Sequence, residues 1–229
     1  MALILNIETS TPVCSASIAL NGNIIAVKES FEDKSHASLL TVFINELLSE
    51  NNIKPEQIEA VCVSEGPGSY TGLRIGVSVA KGICYAKKIP LLVVNTLQAM
   101  ALMASHSISD KSILLCPMID ARRMEVYSAV FHHDTSECRK IIAEIIDENS
   151  FAKELSENRM AFFGNGADKC KRHLTHKNAM FIQNIYPSAK FMAPIAEKAF
   201  NNNQFKDAAY FEPFYLKDFV ATVSKKELF

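Results

Sequence analysis

The stretch "ALILNIETSTPVCSASIALNGNIIAVKE" (2–29) decides the fold. Its first apolar run, "ALILNIE" (2–8), breaks at the polar turn "TSTP" (9–12). "CSASIAL" (14–20) alternates small polar and apolar residues and runs into Asn21-Gly22. Asn-Gly supplies the two positive-φ positions of a tight hairpin turn, so it joins "CSASIAL" to "NIIAVKE" (23–29). The reading is three antiparallel strands in succession.

Working outward, "SHASLLTVFINELLSE" (35–50) repeats Leu40, Phe43, Ile44, Leu47 and Leu48 at helical spacing, with Ser35 placed as N-cap. "IEAVCVSE" (58–65) reads as a buried strand and residues 71–88 as a helix. "IPLLVVN" (89–95) is a further strand and "TLQAMALMASH" (96–106) a further helix. After the polar break "SDKS" (109–112) the same order returns. Strands are expected at 112–120, 125–133 and 138–146, then a helix at 149–158 capped by Asn149 or Ser150. A strand at 160–164, a short helix at 167–174, a strand at 179–183 and a helix at 188–202, despite Pro194, complete the second series. Residues 210–229 read as an extended, aromatic-rich closing segment.

Three antiparallel strands followed by alternating helix and strand is the order of a ribonuclease-H-like lobe. Two such lobes in tandem make the actin, sugar-kinase and Hsp70 architecture. The expected fold is therefore α/β, with lobes at residues 1–108 and 109–229, the second one shortened. Right-handed crossovers place the later strands of each lobe parallel to its first.

Composition fits this. A chain of 229 residues, 48% hydrophobic and 21% charged, buries a real core. A formal net charge of −1 excludes a chain that is basic as a whole and leaves only a local patch for nucleic acid. No apolar run approaches the roughly 20 residues of a membrane helix. The N-terminus lacks a basic region and reaches Glu8 early, unlike a signal peptide. Six scattered cysteines without a C-x-x-C pair read as reduced thiols in a cytoplasmic protein.

The second informative stretch is "SEGPGSYTGLRIGVSVAKG" (64–82), which holds five of the eight glycines. It fails the spacing of a Walker A loop, of a dinucleotide-binding G-x-G-x-x-G and of a G-x-S-x-G nucleophile elbow. A weaker anion reading survives, because a strand runs through a glycine turn into a helix start. Ser69 and Thr71 can cap that helix internally or meet an anion. Arg74 opposes the helix dipole and asks for a carboxylate or a bound anion. Gly76 and Gly82 lie inside the helix and each costs roughly 0.8–1 kcal/mol relative to alanine. Gly72, Gly76 and Ala80 share one face, open to the close approach of another backbone from the same lobe or from a partner. With Leu73, Ile75, Val77, Val79 and Ile83 the helix is apolar almost all round. Leu39 and Val42 broaden the apolar face of helix 35–50 in the same way.

These residues carry a resemblance. "GPGSYTGLRIGVSVAKG" (66–82) resembles the signature of the TsaB (YeaZ) family, accessory proteins of tRNA threonylcarbamoyladenosine biosynthesis and paralogues of the TsaD, or peptidase M22-like, family. "LNIETSTPVCSASIAL" (5–20), "SHASLL" (35–40), "MIDARRMEVYSAVF" (118–131), "GNGADK" (164–169) and "PFYLK" (213–217) are similar in kind and order. The resemblance implies a non-catalytic scaffold that supports transfer of a threonylcarbamoyl group to the adenosine beside the anticodon of tRNA. The implied partners are a catalytic TsaD-like paralogue and a TsaE-like ATPase, with a homodimer in isolation, only indirect or weak tRNA contact, and no membrane. The implied interface lies on helices 35–50 and 71–88, at His36, Leu39, Leu40, Phe43, Leu47, Gly72, Leu73, Gly76, Val77 and Ala80. A charge at Gly76 is expected to break that contact and leave the lobe folded. ATP or ADP and metal are expected on partner subunits or at the shared interface, with no cofactor on this chain alone. Glu8 stands where the family usually has aspartate.

The resemblance also speaks to catalysis. The paralogue's metal-binding H-x-x-x-H would fall on Thr96 and Met100, neither of which suits such a metal. His173 and His176 form an H-x-x-H on a basic segment that reads as solvated surface, as do His132 and His133. Nucleotide hydrolysis in this architecture uses acidic residues on two glycine-rich hairpin turns. Here these turns are Glu8–Pro12 and Asp120–Arg123, the second with two arginines and no glycine. Thr9, Ser10, Asp120, Arg122 and Arg123, with Ser69, Thr71 and Arg74, are the candidate anion or nucleotide contacts. No catalytic or metal-ligating residue is assigned. The alternative is an active small ATPase, kinase or metallopeptidase of the same architecture.

Overall fold

The computed structural model describes residues 2–32 and 35–217. The first sheet holds β1 (Leu3–Glu8), β2 (Cys14–Leu20), β3 (Asn23–Ser30), β4 (Ala60–Gly66) and β5 (Leu91–Asn95), in the order β3-β2-β1-β4-β5. The second holds β6 (Leu114–Asp120), β7 (Glu125–Phe131), β8 (Glu137–Ile145), β9 (Met160–Phe163) and β10 (Ala179–Ile182), in the equivalent order β8-β7-β6-β9-β10. In each sheet the first three strands are antiparallel and the last two run parallel to the first. This repeated topology is that of two tandem ribonuclease-H-like lobes. Asn21 and Gly22 take φ of 52° and 75°, so the Asn-Gly pair makes the hairpin that it predicts.

The helices are α1 (His36–Glu50), α2 (Tyr70–Lys87), α3 (Thr96–Ser107), α4 (Ala152–Glu157) and α5 (Ala189–Asn201). Leu40, Ile44 and Leu47 of α1 join Val77, Ala80 and Cys84 of α2 over one face of the first sheet, against Leu5, Ile7, Val61 and Val63. The opposite face, with Ile4, Ala60, Cys62 and Leu92, is covered by Ala189, Met192 and Ala196 of α5. The second sheet receives Leu97, Met100 and Ala104 of α3 on Leu115, Ile119 and Phe163. The strands divide between residues 108 and 109, but the helices do not. Each lobe lends one helix to the other's sheet. Ser17 Oγ donates to Ala189 O at 3.0 Å and Ala189 N donates to Ser15 Oγ at 3.1 Å, which fixes the start of α5 on the first lobe.

Some local expectations are corrected. Ser35 precedes α1, but its hydroxyl donates back to Glu32 O at 2.8 Å and caps nothing. The helix expected from 149 begins only at Ala152, because Asn149 N and Ser150 Oγ bond the Asp147 carboxylate in a turn and Phe151 adopts φ 59°. The helix expected at 167–174 is one 3-10 turn, Asp168–Cys170. The six cysteines are free, and only Cys138 is exposed. Burial pushes the Cys14, Cys84 and Cys170 thiols up to about 11, which keeps them protonated and inert. No helix among the described residues is long and apolar enough to cross a membrane. Residues 211–215 of the closing segment belong to no helix or strand, and residues 218–229 lie outside the described residues.

Candidate functional site

The two sheets present the ends of β1, β4 and β6 toward each other, and a cleft of about 640 Å³ lies there. Ser10, Ser69, Thr71, Asp120, Arg122 and Arg123 all line it, so the structure brings together six of the eight residues proposed for an anion.

The first wall is built from the turn after β1 and the start of α2. Ser69 is the N-cap of α2, and its Oγ accepts from Gly72 N at 3.2 Å. Its own amide donates to Ser10 O at 2.6 Å. Thr9 is buried, and its hydroxyl donates to Gly72 O at 2.8 Å. A Cβ on Gly68 would collide with Ser10 O, one on Gly72 with Thr9 O, and one on Gly76 with Thr9 Oγ1. The close approach expected along Gly72, Gly76 and Ala80 is therefore real, and what approaches is the first hairpin turn of the same lobe.

This corrects one expectation: Thr9 is consumed in that contact and does not face the cleft. The Arg74 guanidinium lies 4.2 Å over the Tyr70 ring and reaches the Tyr215 hydroxyl at 3.4 Å. That aromatic face, with the charge of Glu212, offsets the unfavourable helix-terminus position.

Most of the expected interface residues also turn inward. Leu40, Leu47, Leu73, Val77 and Ala80 are buried in the lobe's own core. Buried His36 has its Nε2 at 2.8 Å from Thr11 O. A charge at Gly76 would strike Thr9, so that substitution breaks the lobe rather than probing a partner. Leu39 and Phe43 stay half-buried beside Ile75, Val79 and Ile83, and Val42 is 45% exposed. Nothing stands within 4 Å of a Cβ built on Gly82.

Glu8 closes the floor of the first turn. It is buried; its Oε1 accepts from Ser10 N at 2.6 Å and from Ser64 Oγ at 3.0 Å. Burial raises its pKa above the ordinary carboxylate value of 4.5 against the lowering pull of those bonds. Its Oε2, Ser10 Oγ and Thr11 Oγ1 have no hydrogen-bond partner among the described residues.

The second wall is the β6–β7 turn. The Asp120 carboxylate accepts from Arg122 N at 3.1 Å and pairs with Lys169. Lys169 Nζ also donates to Arg123 O at 2.8 Å and Glu125 O at 2.6 Å. One ammonium thus ties down a turn in which Arg122 and Arg123 take φ of 72° and 49°. Left-handed backbone costs non-glycine residues roughly 1–2 kcal/mol each. The lysine pairs with the one acid of this turn. Gly164, with φ 99°, and Gly166 abut Met118 O and the Ile119 backbone, so they serve close packing under β6.

The closing segment was not foreseen in the site. Phe214 N donates to Glu65 O at 2.7 Å in the first lobe, and Lys217 pairs with Glu125 in the second. The Tyr215 ring stands 5.0 Å from that of Tyr70. The sequence signals were the aromatic density of "FEPFYLK" (211–217) and the family resemblance of "PFYLK" (213–217).

Thr96 and Met100, the positions matching the paralogue's metal ligands, are fully buried. His173 Nε2 accepts from Arg172 Nε at 3.1 Å. Among the described residues no three His, Cys, Asp or Glu side chains gather as a metal site. Neither the buried Thr96–Met100 pair nor the lysine-paired Asp120 fits a catalytic metal.

Comparisons with known proteins agree with this architecture. The chain is 27% identical over 223 residues to the tRNA threonylcarbamoyladenosine biosynthesis protein TsaB of Haemophilus influenzae, covering 94% of this chain and 93% of that one. It is 28% identical over 228 residues to the protein of the same name in Escherichia coli, covering 95% and 96%. The fold matches the solved structure of YeaZ from Pseudomonas aeruginosa with a TM-score of 0.81, at 23% identity, over 94% of this chain and all of the other. The family described as TsaD, tRNA N6-adenosine threonylcarbamoyltransferase, matches residues 24–226, and the chain belongs to that family.

Proposed function

We propose that this chain is a non-catalytic subunit in the biosynthesis of threonylcarbamoyladenosine on tRNA. It binds and supports a catalytic TsaD-like paralogue in the cytoplasm, alongside a TsaE-like ATPase. Its similarity in sequence to proteins named for that biosynthesis supports the pathway. The observation that carries the accessory role is the state of the two acids on the hairpin turns. Glu8 is sealed in the core, where burial raises its pKa and opposes its charge, and Asp120 is paired with Lys169. Neither offers a free carboxylate to a metal–phosphate complex.

The partner face we assign is the outer edge of α1 and α2. Val42 is exposed there, and Leu39, Phe43, Ile75, Val79 and Ile83 form its half-buried margin. Gly82 adds a second argument. It weakens α2 without admitting any neighbour in this chain, so its smallness serves an approach from outside. The same face supports a homodimer when the paralogue is absent.

The test is size-exclusion chromatography of the chain alone and mixed with the paralogue. Val42→Glu combined with Gly82→Glu should keep the native Tm and lose both self-association and co-elution. Co-elution equal to wild type overturns the interface. Turnover of ATP by the purified chain with Mg²⁺ overturns the non-catalytic reading.

A further inference from the structure

The charges around the β6–β7 turn do not balance. Three acids there each have a lysine among the described residues: Asp120 with Lys169, Glu125 with Lys217, Asp168 with Lys171. Arg122 and Arg123 are exposed, and their side chains make no hydrogen bond or ion pair among the described residues. Arg172 joins them, because its Nη2 reaches Met124 Sδ at 3.3 Å while its Nε donates to His173. Among the described residues three guanidinium groups are left without a carboxylate, in a chain whose formal net charge is −1. The near-neutral total hides this local surplus.

Across the cleft the surface is aromatic. Phe214 is 41% exposed and the Tyr215 ring pairs with Tyr70. Cations on one wall and flat rings on the other are what unpaired RNA requires. Its phosphates take the guanidiniums, and its splayed bases stack on the rings. A carboxylate-rich peptide would use the cations and leave the rings idle. A free nucleotide needs donors converging on one phosphate group, whereas these guanidiniums come from two separate segments, Arg122–Arg123 and Arg172.

We propose that Arg122 and Arg123, which line one cleft with Phe214 and Tyr215, form a contact for a short single-stranded run of RNA, which Arg172 beside Met124 extends. The proposal rests on the pathway reading only in that RNA is the polyanion which such an assembly handles. The contact is electrostatic and therefore weak and salt-dependent when the chain acts alone.

The test is fluorescence anisotropy of a labelled single-stranded RNA oligonucleotide with the full-length chain, across a KCl series. Replacing Arg122 and Arg123 together by alanine should weaken binding at least about tenfold and reduce the slope of log K against log salt by about 1.4, since each single-strand phosphate contact contributes about 0.7. Replacing both by lysine should restore the slope. Phe214→Ala should weaken binding at least about fivefold and leave the slope unchanged. Lys54→Glu, at an exposed position away from the cleft, should change nothing. Each variant is first shown to keep the wild-type Tm. Absence of binding by wild type at low salt overturns the proposal, and so does an alanine pair that binds like wild type. Displacement of the RNA by ATP at equal phosphate concentration assigns the site to free nucleotide and overturns it too. The measurement needs no partner, so its failure is separable from a failure to co-elute with the paralogue.

Discussion

The hydroxyl of Thr9 donates to the carbonyl oxygen of Gly72 at 2.8 Å, and the same Oγ1 occupies the space in which a Cβ on Gly76 would stand. The first hairpin turn and the first two turns of α2 are therefore one packed unit. Gly76→Ala drives a Cβ into the buried Thr9 hydroxyl, which is held by its bond to Gly72 O, and about 3 kcal/mol of destabilisation is expected. For a chain of this size that lowers Tm by roughly 6–12 °C. Gly82→Ala, on the same helix with nothing within 4 Å, should instead gain up to about 1 kcal/mol. Thr9→Ala removes the obstructing oxygen, so a double-mutant cycle with Gly76→Ala should show the pair costing less than the sum of its members. Additive losses, read by chemical denaturation, refute the contact as the reason for the glycine.

Glu8 sets a pH dependence. Its folded-state pKa lies above the ordinary 4.5 because burial opposes the charge. The folded chain thus holds the proton more tightly than the unfolded one. Its contribution is fully favourable below the unfolded value and is lost as pH rises through the folded value. Glu8→Gln keeps an oxygen to accept from Ser10 N and Ser64 Oγ and carries no charge at any pH. The variant should match wild type at acid pH and exceed it in stability as pH rises to neutral. Denaturant midpoints measured across that range decide it, and parallel curves for the two proteins remove Glu8 as the source.

How much of this was legible depends on the range of the interaction. Strand alternation and the Asn21-Gly22 turn are local signals, and both lobes follow from them. Ser69 as a cap is equally local. The glycine face on α2 announces that something comes close, but the identity of Thr9, 63 residues away from Gly72, is a product of strand order and not of any pattern within the helix. The same holds for Lys169 beneath the arginine turn and for Phe214 on Glu65. Apolar faces on α1 and α2 look alike in sequence whether they meet the lobe's own sheet or a partner. That ambiguity is why Leu40, Leu47 and Leu73 were expected at the interface and lie in the core.

Lys169 holds the arginine turn through a carboxylate and two carbonyl oxygens. Lys169→Met leaves the Arg123 and Glu125 carbonyls without that donor and frees two left-handed residues to relax. The site is partly exposed, so a loss of about 1–2 kcal/mol is expected. Asp120→Asn keeps an acceptor for the ammonium and should cost less. A full-sized loss for Asp120→Asn together with none for Lys169→Met would assign the hold to the carboxylate alone. Urea midpoints of the two variants and of their combination separate these outcomes.

The exchange of helices makes the lobes interdependent. Cutting the chain after residue 108 leaves the first sheet without α5 and uncovers Ile4, Ala60, Cys62, Leu92 and Val94 on one face. It also strips Leu97, Met100 and Ala104 of α3 of the second sheet on which they pack. Burial of such residues is worth roughly 1.5–3 kcal/mol for each large side chain, which is comparable in sum to the whole stability of a domain this size. Residues 1–108 expressed alone should therefore show no cooperative thermal transition and should bind a dye for exposed apolar surface. Co-expression with residues 109–229 should restore one joint transition, because α5 then returns through the Ser15, Ser17 and Glu29 contacts that seat Ser188 and Ala189. A cooperative transition from the first fragment alone would mean that the lobe's own helices suffice, and that α5 only decorates a sheet already stable without it.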